Sequence, residues 1–266
     1  MTRTRIAPSP TGDPHIGTLF QALFNYAFAK KHQGQFIVRI EDTDKARQVS
    51  SSEDAIFQAL DWIGLTPDES IKHPGKFGPY RQSDRLKLYQ QYADQLIKDN
   101  HAYYCFCSSD RLDQVRKDMQ AKGQPPMYDQ HCRSLDVKKA EAKAKKEPHV
   151  IRMKIPKNQT IKVNDLLRGE IKFNSNTIDD QIILKSDGYP TYHLAVIVDD
   201  HLMKITHMVR GEEWLAQLLN MFYSINTLIG SHLCLFTHPF YAIQIKVSLV
   251  SVMVMLQLIG ILNPAI

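Results

Sequence analysis

The sequence is poor in two features, cysteine and charge near its carboxyl end. Only four cysteines occur in 266 residues, and their uneven spacing excludes a disulfide scaffold and favours a reducing compartment. The first residues run into Pro8-Ser9-Pro10 without the apolar stretch of a secretory signal, so we expect a cytoplasmic protein. The chain has 33 basic and 28 acidic residues, of which only Lys246 follows Leu215.

The overall composition is that of a folded protein. A content of 43% hydrophobic and 23% charged residues allows one large domain or two smaller ones with a sizeable core. The formal net charge of +5 is compatible with a polyanionic partner, and equally with many enzymes that bind no nucleic acid. Charge alone therefore does not assign a partner.

The first hundred residues predict an α/β fold. Residues 2–7 and 36–40 are strand candidates, separated by a proline-rich loop and a helix over 16–32 with apolar side chains at helical spacing. A helix between two such strands predicts a parallel βαβ unit. Two further helices are predicted over about 51–64 and 83–100.

An insertion interrupts this pattern. After residue 102 come an aromatic strand, a helix over 109–122 closed by Gly123, a lysine-rich helix over 136–146 and short strands. The first kind of pattern returns at 192–199 and 205–209. We therefore predict four segments: 1–101 and 188–215 as two halves of one domain, 102–187 as the insertion, and 216–266 as an apolar tail.

The loop before the first helix carries chemically suggestive residues. In a doubly wound sheet this turn lies where ligands bind, and the amino end of the helix offers N–H groups and a positive dipole to phosphate. His15 could donate to phosphate oxygens in the transition state, and Gly17 would let a nucleotide approach the backbone closely. The alternative is a proline-rich loop with one solvated histidine.

Five segments, in order, resemble the glutamyl branch of the class I aminoacyl-tRNA synthetases. The first is residues 5–18, in which His-Ile-Gly-Thr matches the His-Ile-Gly-His signature. The others are Arg-Ile-Glu-Asp-Thr-Asp at 39–44, Gly-Pro-Tyr-Arg-Gln-Ser at 78–83, Lys-Ser-Asp-Gly-Tyr-Pro-Thr-Tyr-His-Leu-Ala at 185–195, and Arg-Gly-Glu-Glu-Trp at 210–214. The resemblance implies a Rossmann-type doubly wound parallel sheet with an inserted α+β subdomain that binds the tRNA acceptor stem.

The resemblance also implies a glutamate pocket, and the residue types suit that substrate. Arg5 and Arg210 offer guanidinium forks for carboxylates. Glu41 together with Ser9 matches the pair that holds the substrate ammonium, and Tyr192 matches the hydroxyl near the side-chain carboxylate. Taken singly, each arginine could instead form a surface salt bridge.

ATP, entering as its Mg²⁺ complex, is the second implied substrate, with His15 and Arg210 as catalytic residues. The positions that match the nucleotide site are Pro8, Ser9, Thr11, Gly12, His15, Gly17, Thr18, Glu213 and Trp214. One departure is Val196, which stands where the family usually has Asn and removes an amide from side-chain recognition. Asp199-Asp200 could be a metal pair, although the resemblance implies a structural role.

Three cysteines in the insertion suggest a metal site. Cys105, Cys107 and Cys132 provide soft ligands with a spacing that suits tetrahedral zinc, and some family members hold a structural zinc here. Ser134 stands where some members have His, which leaves Tyr128 and His131 as candidates for the fourth ligand, and we predict the set Cys105, Cys107, Tyr128 and Cys132. The alternative is three reduced structural thiols.

The lysine-rich helix of the insertion is ordinarily read as a solvated charged face. In the setting of the resemblance, one edge is expected to contact tRNA phosphates, which position the nucleic acid without reading its sequence. The implied partner is tRNA(Glu), and we expect a monomer with no membrane association.

The tail departs from the family pattern after Leu215. The second signature, a Lys-x-Ser-Lys-Arg loop, is absent from the sequence as written. Each residue can be back-translated with any of its synonymous codons. For one such choice, the reading frame that starts at the third base of the Ala216 codon encodes Ser-Thr-Pro-Lys-His-Val-Leu. The same frame from residue 246 encodes Ser-Lys-Leu-Ser-Lys-Arg. Both match the family, so we predict a frameshift near Ala216. A membrane anchor over 247–262 is an alternative, but it is shorter than a span requires.

Two other functions stay open. A glutamyl-queuosine tRNA(Asp) synthetase lacks the anticodon-binding region and would also match this length, although the segments at 39–44 and 78–83 favour the glutamate–tRNA ligase. An inactive, pseudogene-like product would retain tRNA binding with a steep salt dependence and form no adenylate.

Overall fold

A computed structural model describes residues 1–211 and 234–238 of the chain. The predictions for Glu213 and Trp214, for the frameshift and for a membrane anchor lie outside these residues. Within the described part, no helix combines the length and the apolar character needed to cross a membrane.

The first βαβ unit is confirmed. Strand β1 (Arg3–Ile6) leads through a loop to helix α1 (Ile16–Lys31), and strand β2 (Gln35–Val38) then pairs with β1 in parallel. The turn between α1 and β2 requires Gly34, since a Cβ there would collide with the carbonyl oxygen of Thr2. Apolar side chains of α1 and β2 pack together in one buried cluster with helix α2 (Ser52–Trp62).

Strand β1 has a neighbouring segment of the chain along each of its two edges. Helix α6 (Tyr192–Leu202) is followed by strand β8 (His207–Gly211). The N–H of Thr206, just before β8, donates to the Arg3 carbonyl at 2.9 Å, whereas the carbonyls of Thr2 and Ile6 accept from the β2 side. Since alternate carbonyls of a strand point in opposite directions, β8 and β2 flank β1. The result is the expected Rossmann-like α/β core.

Some boundaries differ from the sequence prediction. Strand β2 ends at Val38 rather than at residue 40, and Ile40 forms an isolated bridge with Arg81. Helix α3 (Leu86–Lys98) begins three residues after Ser83, because a 3-10 turn over Gln82–Arg85 precedes it. Residues 192–199 lie entirely in helix α6.

The insertion is antiparallel, unlike the core. Strand β3 (Ala102–Cys105), helix α4 (Ser109–Ala121) and helix α5 (Val137–Ala144) precede strands β4 (Val150–Met153), β5 (Thr160–Asp165), β6 (Gly169–Asn174) and β7 (Ile182–Leu184). Strands β3, β4 and β7 form one sheet and β5 with β6 a hairpin. Buried side chains of this sheet share one cluster with α3 and α6, including Val196. The insertion is therefore joined to the core by a common apolar interior, and the domain boundaries stay a prediction.

One strand of the apolar tail is described. Strand β9 (Cys234–His238) pairs in parallel with β8 along five residues, and Leu235 also pairs with Asp165 at the end of β5. The core sheet thus continues from β8 into the segment whose sequence departs from the family pattern.

Candidate active site at the amino end of the first helix

A cavity of about 350 Å³ opens at the amino end of α1, where β1, α6 and β8 also contribute residues. Residues 9 and 210 of the sequence are thus brought to one place by the sheet. The lining residues that the sequence analysis singled out are Pro8, Ser9, His15, Gly17, Thr18, Glu41, Tyr192 and Arg210, and they are joined by Ile6, Ala7 and Gln21.

His15 has a structural role at the mouth of this cavity. Its Nδ1 accepts a hydrogen bond from the N–H of Gly17 at 3.0 Å, so the imidazole is the N-cap of α1. Capping stabilises a helix by satisfying one of its free N–H groups. Because Nδ1 is engaged as the acceptor, Nε2 is the protonated nitrogen of the neutral ring, and it is the one available as a donor to a ligand.

Opposite charges face each other across the cavity. Arg210 on β8 donates from Nη2 to the hydroxyl of Tyr192 at 2.8 Å, which fixes the guanidinium beside the first turn of α6. Burial raises the pKa of Glu41 above its ordinary value, although the charges of Arg39, Arg210 and Arg5 act in the opposite direction. A bound ammonium group would lower the pKa of Glu41 and so oppose the effect of burial, whereas a bound carboxylate would raise this pKa further.

Arg5 lies behind the cavity rather than in its lining. Its side chain is 1% exposed, and its Nε and Nη2 donate to the two carboxylate oxygens of Asp200 at 3.0 and 2.8 Å. The fork that the sequence analysis expected to bind a substrate carboxylate is therefore occupied by Asp200. The remaining nitrogen, Nη1, is not part of this pair.

Thr11 and Gly12 also lie away from the cavity lining. Gly12 adopts a φ of +139°, which L side chains rarely adopt. Its N–H donates to Ser52 Oγ at 3.0 Å, and that hydroxyl donates back to the Gly12 carbonyl. The N–H of Thr11 donates to the Ser9 carbonyl at 2.9 Å. These contacts tie the loop to α2, so both residues shape the loop.

The Asp199-Asp200 pair is engaged by side chains of the chain itself. Asp199 accepts from Gln82 Nε2 at 2.9 Å, from Arg85 Nε at 2.6 Å and from the Tyr89 hydroxyl. Asp200 is 2% exposed and bound by arginines. The structural role that the resemblance implied for this pair is therefore what the geometry shows.

Two contributors were missed by sequence reasoning. Arg39 is fully buried and donates to Asp200 and Glu41 at 2.8 and 3.2 Å. Gln21 of α1 lines the cavity. A signal existed for Arg39, because an arginine within an apolar strand must be paired when it is buried. Gln21 carried none, since an uncharged polar residue on a helix is ordinary.

A second cluster lies in the insertion. The sulfurs of Cys105, Cys107 and Cys132 are all within 4.8 Å of one another. The Tyr128 hydroxyl lies 3.3 Å from Cys105 Sγ and 3.4 Å from Cys107 Sγ, and it accepts from the Cys132 N–H at 3.0 Å. His131 is exposed. Three soft donors and one phenolic oxygen therefore converge on a single point.

Two cations flank this cluster. Arg152 lies over the Tyr128 ring, with its guanidinium carbon 3.9 Å from the ring centroid. Arg111 Nη1 lies 3.5 Å from Cys107 Sγ and also pairs with Asp129. Burial raises the pKa of the Cys107 thiol to about 11, although its hydrogen bond with Tyr128 acts in the opposite direction. Positive charge at this place would stabilise anionic ligands around a metal ion.

Comparisons with known proteins agree with the fold. The chain is similar to the glutamate–tRNA ligase of Fusobacterium nucleatum, with 54% identity over 214 residues that cover 80% of this chain and 42% of that protein. The corresponding values for the ligase of Gloeobacter violaceus are 53% over 213 residues, 80% and 40%. The chain thus spans less than half the length of these relatives.

A solved structure of similar fold is the glutamate–tRNA ligase of Elizabethkingia meningosepticum in complex with its amino acid. It has a TM-score of 0.82 and 44% identity, over 89% of this chain and 49% of that one. A family model described as the catalytic domain of class I tRNA synthetases (E and Q) matches residues 1–252. The chain therefore belongs to the catalytic-domain family of the class I tRNA synthetases (E and Q).

Proposed function

We propose that this chain is the catalytic part of a glutamate–tRNA ligase, which activates glutamate with ATP and transfers it to the 3′ end of tRNA(Glu). The observation that carries the proposal is that Glu41 lines one cavity at the amino end of α1 together with Arg210 and Tyr192, which are hydrogen-bonded to each other. An α-amino acid with an acidic side chain needs both an anionic and a cationic partner. This cavity offers both beside a phosphate-binding helix terminus.

In this proposal Glu41 and Ser9 bind the substrate ammonium, and Arg210 with Tyr192 binds a carboxylate. Arg5 contributes through Nη1, the nitrogen that Asp200 leaves unengaged. Pro8, Thr11, Gly12, Gly17 and Thr18 form the nucleotide loop, and Glu213 with Trp214 would complete it. Because Thr11 and Gly12 lie away from the cavity lining, their part is to hold the loop in shape.

The reaction follows from this arrangement. An oxygen of the glutamate α-carboxylate attacks the α-phosphorus of ATP, the bond to the β-phosphate oxygen breaks, and pyrophosphate leaves with Mg²⁺. A ribose hydroxyl at the tRNA 3′ end then attacks the acyl carbon, and AMP leaves. The His15 Nε2–H and the α1 terminus stabilise the charge on the phosphate oxygens. Catalysis of this kind is positioning and electrostatics, without a covalent enzyme intermediate.

Direct binding tests the proposal. The purified 266-residue chain would be titrated with L-glutamate in the presence of ATP, by saturation-transfer NMR, with L-glutamine and D-glutamate for comparison. We expect weak, saturable binding of L-glutamate, which Glu41→Gln abolishes and the exposed Glu170→Gln leaves unchanged. Equal binding of glutamine and glutamate, or no saturable binding, would refute the proposal.

The insertion is proposed to bind the acceptor stem. Its helix α5 and the turn that follows carry exposed lysines at 138, 139, 143, 145 and 146. One of them, Lys143, lies 4.6 Å from the Phe106 ring centroid and also pairs with Glu147. Phosphate contacts of such lysines give binding that weakens with salt. We expect the protein to act as a cytoplasmic monomer.

We also propose one structural zinc ion, held by Cys105, Cys107, Cys132 and Tyr128. The residues fit such an ion because three sulfurs and one oxygen converge at tetrahedral ligand spacing and two guanidiniums lie beside them. Zinc there would connect β3 to the segment before α5 and so brace the insertion. Its proposed ligands share no residue with the cavity lining, and it has no part in the reaction.

A glutamyl-queuosine tRNA(Asp) synthetase remains the alternative ligase. Charging assays with tRNA(Glu) and tRNA(Asp) separate the two, since only the alternative modifies tRNA(Asp). Binding of tRNA without any adenylate formation would instead identify an inactive RNA-binding product.

A further inference from the structure

Four buried charges of alternating sign run from the back of the candidate site to its lining. In order they are Arg5, Asp200, Arg39 and Glu41, and each is at most 7% exposed. The three contacts that join them measure 2.8, 2.8 and 3.2 Å. The series therefore connects two residues proposed to bind glutamate through two, Asp200 and Arg39, that do not line the cavity.

Asp200 is the centre of this series. Its Oδ1 accepts from both Arg5 Nε and Arg39 Nη1, and its Oδ2 accepts from Arg5 Nη2. Burial raises the pKa of Asp200, but the charges of Arg5 and Arg39 outweigh it and hold the pKa below its ordinary value. The carboxylate is thus ionised and holds both guanidiniums in place.

These contacts join three elements. Arg5 belongs to β1, Arg39 and Glu41 follow β2, and Asp200 lies near the carboxyl end of α6, whose first residue is Tyr192. A bidentate pair fixes the plane of a guanidinium as well as its position. Holding Arg5 by Nε and Nη2 fixes Nη1 in one direction, and holding Arg39 fixes the oxygen of Glu41.

We propose that Asp200 is a positioning residue for amino-acid recognition, which sets the spacing between the carboxylate-binding Arg5 and the ammonium-binding Glu41. The proposal rests on the glutamate-binding function proposed above. It assigns glutamate affinity to a side chain that does not line the cavity. It also distinguishes Asp200, which holds both Arg5 and Arg39, from its neighbour Asp199. Asp199 lies 3.4 Å from Arg39 Nε but makes its hydrogen bonds with Arg85, Tyr89 and Gln82, and it forms no contact with Arg5.

The test compares Asp200→Asn with Asp199→Asn as a matched control. Each variant removes one charge from a carboxylate at most 2% exposed on the same helix. An Asn at 200 keeps one acceptor and turns a donor toward a guanidinium, which releases Arg5. Dissociation constants for L-glutamate and, separately, for ATP would be measured on the full chain, together with the melting temperature.

For Asp200→Asn we expect the glutamate dissociation constant to rise about tenfold or more, with that for ATP changed less than about twofold. For Asp199→Asn we expect a lowered melting temperature and glutamate affinity within about twofold of the original chain. Unchanged glutamate affinity in Asp200→Asn would overturn the proposal. An equal loss in both variants would overturn it as well, because the effect would then follow from stability alone.

A third variant covers the case in which Asp200→Asn does not fold. Asp200→Glu keeps the charge but adds one methylene, which moves Arg5 and Arg39 relative to Glu41. The same glutamate-specific loss is expected, and normal affinity in this variant would overturn the proposal. If the unmodified chain binds no glutamate, the proposed function fails at that step, before any variant is compared.

Discussion

The side chain of His15 combines a helix cap with a donor aimed at the candidate site. The cap uses Nδ1, at 3.0 Å from the Gly17 nitrogen, and the proposed phosphate contact uses Nε2. Because the two nitrogens make different contacts, a substitution that keeps the helix cap but removes the Nε2–H distinguishes the effect on stability from the effect on ligand binding.

His15→Asn is expected to keep the cap and lose the donor. Asparagine is among the best N-cap residues, so the free energy of unfolding should stay within about 0.5 kcal/mol, whereas His15→Ala should lower it by about 1 kcal/mol. Both variants should bind ATP more weakly by a similar factor. Denaturant unfolding and ATP titration check this, and normal ATP affinity in His15→Asn would show that the ring contacts no phosphate.

His193 on α6 makes stability depend on pH. Burial lowers its pKa from 6.5 to about 4. Between those values the unfolded chain binds a proton that the folded chain does not, so stability is present above about pH 6.5 and is lost as pH falls toward 4. The full contribution is on the order of 3 kcal/mol.

His193→Gln removes this titration. We expect the free energy of unfolding of the variant to fall less steeply between pH 6.5 and 4 than that of the original chain. Since His201 and His207 also have lowered pKa values, the contribution of His193 is the difference between the two curves. Parallel curves would contradict the assignment.

At the scale of the elements, the proposed zinc site lies on strand β3 and on the segment between α4 and α5. Its fourth ligand cannot be identified from the spacing of residues along the sequence. Tyr128 and His131 were both available as a fourth ligand by position, and the predicted set included Tyr128. The fold turns Tyr128 inward, 7% exposed, and leaves His131 exposed. The proposed ligand set is therefore decided by the direction of the chain between α4 and α5.

Metal analysis checks this set. We expect about one zinc per chain after purification without chelator, and loss of zinc in Cys132→Ser. Tyr128→Phe keeps the ring under Arg152 but removes the oxygen, so zinc affinity should fall on the order of tenfold or more. His131→Asn is the matched control and should bind zinc normally. Zinc loss in the control with retention in Tyr128→Phe would reverse the assignment.

At the scale of the whole molecule, the unusual feature is the chain after Leu215. The core sheet continues from β8 into β9, yet the sequence around β9 lacks the lysine-rich signature that would neutralise the triphosphate as pyrophosphate leaves. Without those charges the transition state loses a principal source of electrostatic stabilisation. Glutamate and ATP binding are therefore expected to be weak.

The expected outcome is little pyrophosphate exchange by the chain as written, even with tRNA present. A gene that restores the alternative frame from Ala216 onward, and so the Ser-Lys-Leu-Ser-Lys-Arg segment, should raise exchange by several orders of magnitude. Sequencing the gene across the codons for Leu215 and Ala216 is the direct check. An uninterrupted, verified frame there, or normal exchange by the written chain, would contradict the frameshift.

The sequence by itself determined the family resemblance, the parallel βαβ start and eight of the eleven residues that line the cavity, because these depend on local periodicity and on motifs of fixed order. The tertiary structure alone decided that Arg5 is bound by Asp200, 195 positions away, and that Tyr128 faces the cysteines. The physical reason is that a buried charge needs a partner of opposite charge within about 3 Å. Which residue comes that close is set by the packing of the fold and not by the spacing of residues along the chain.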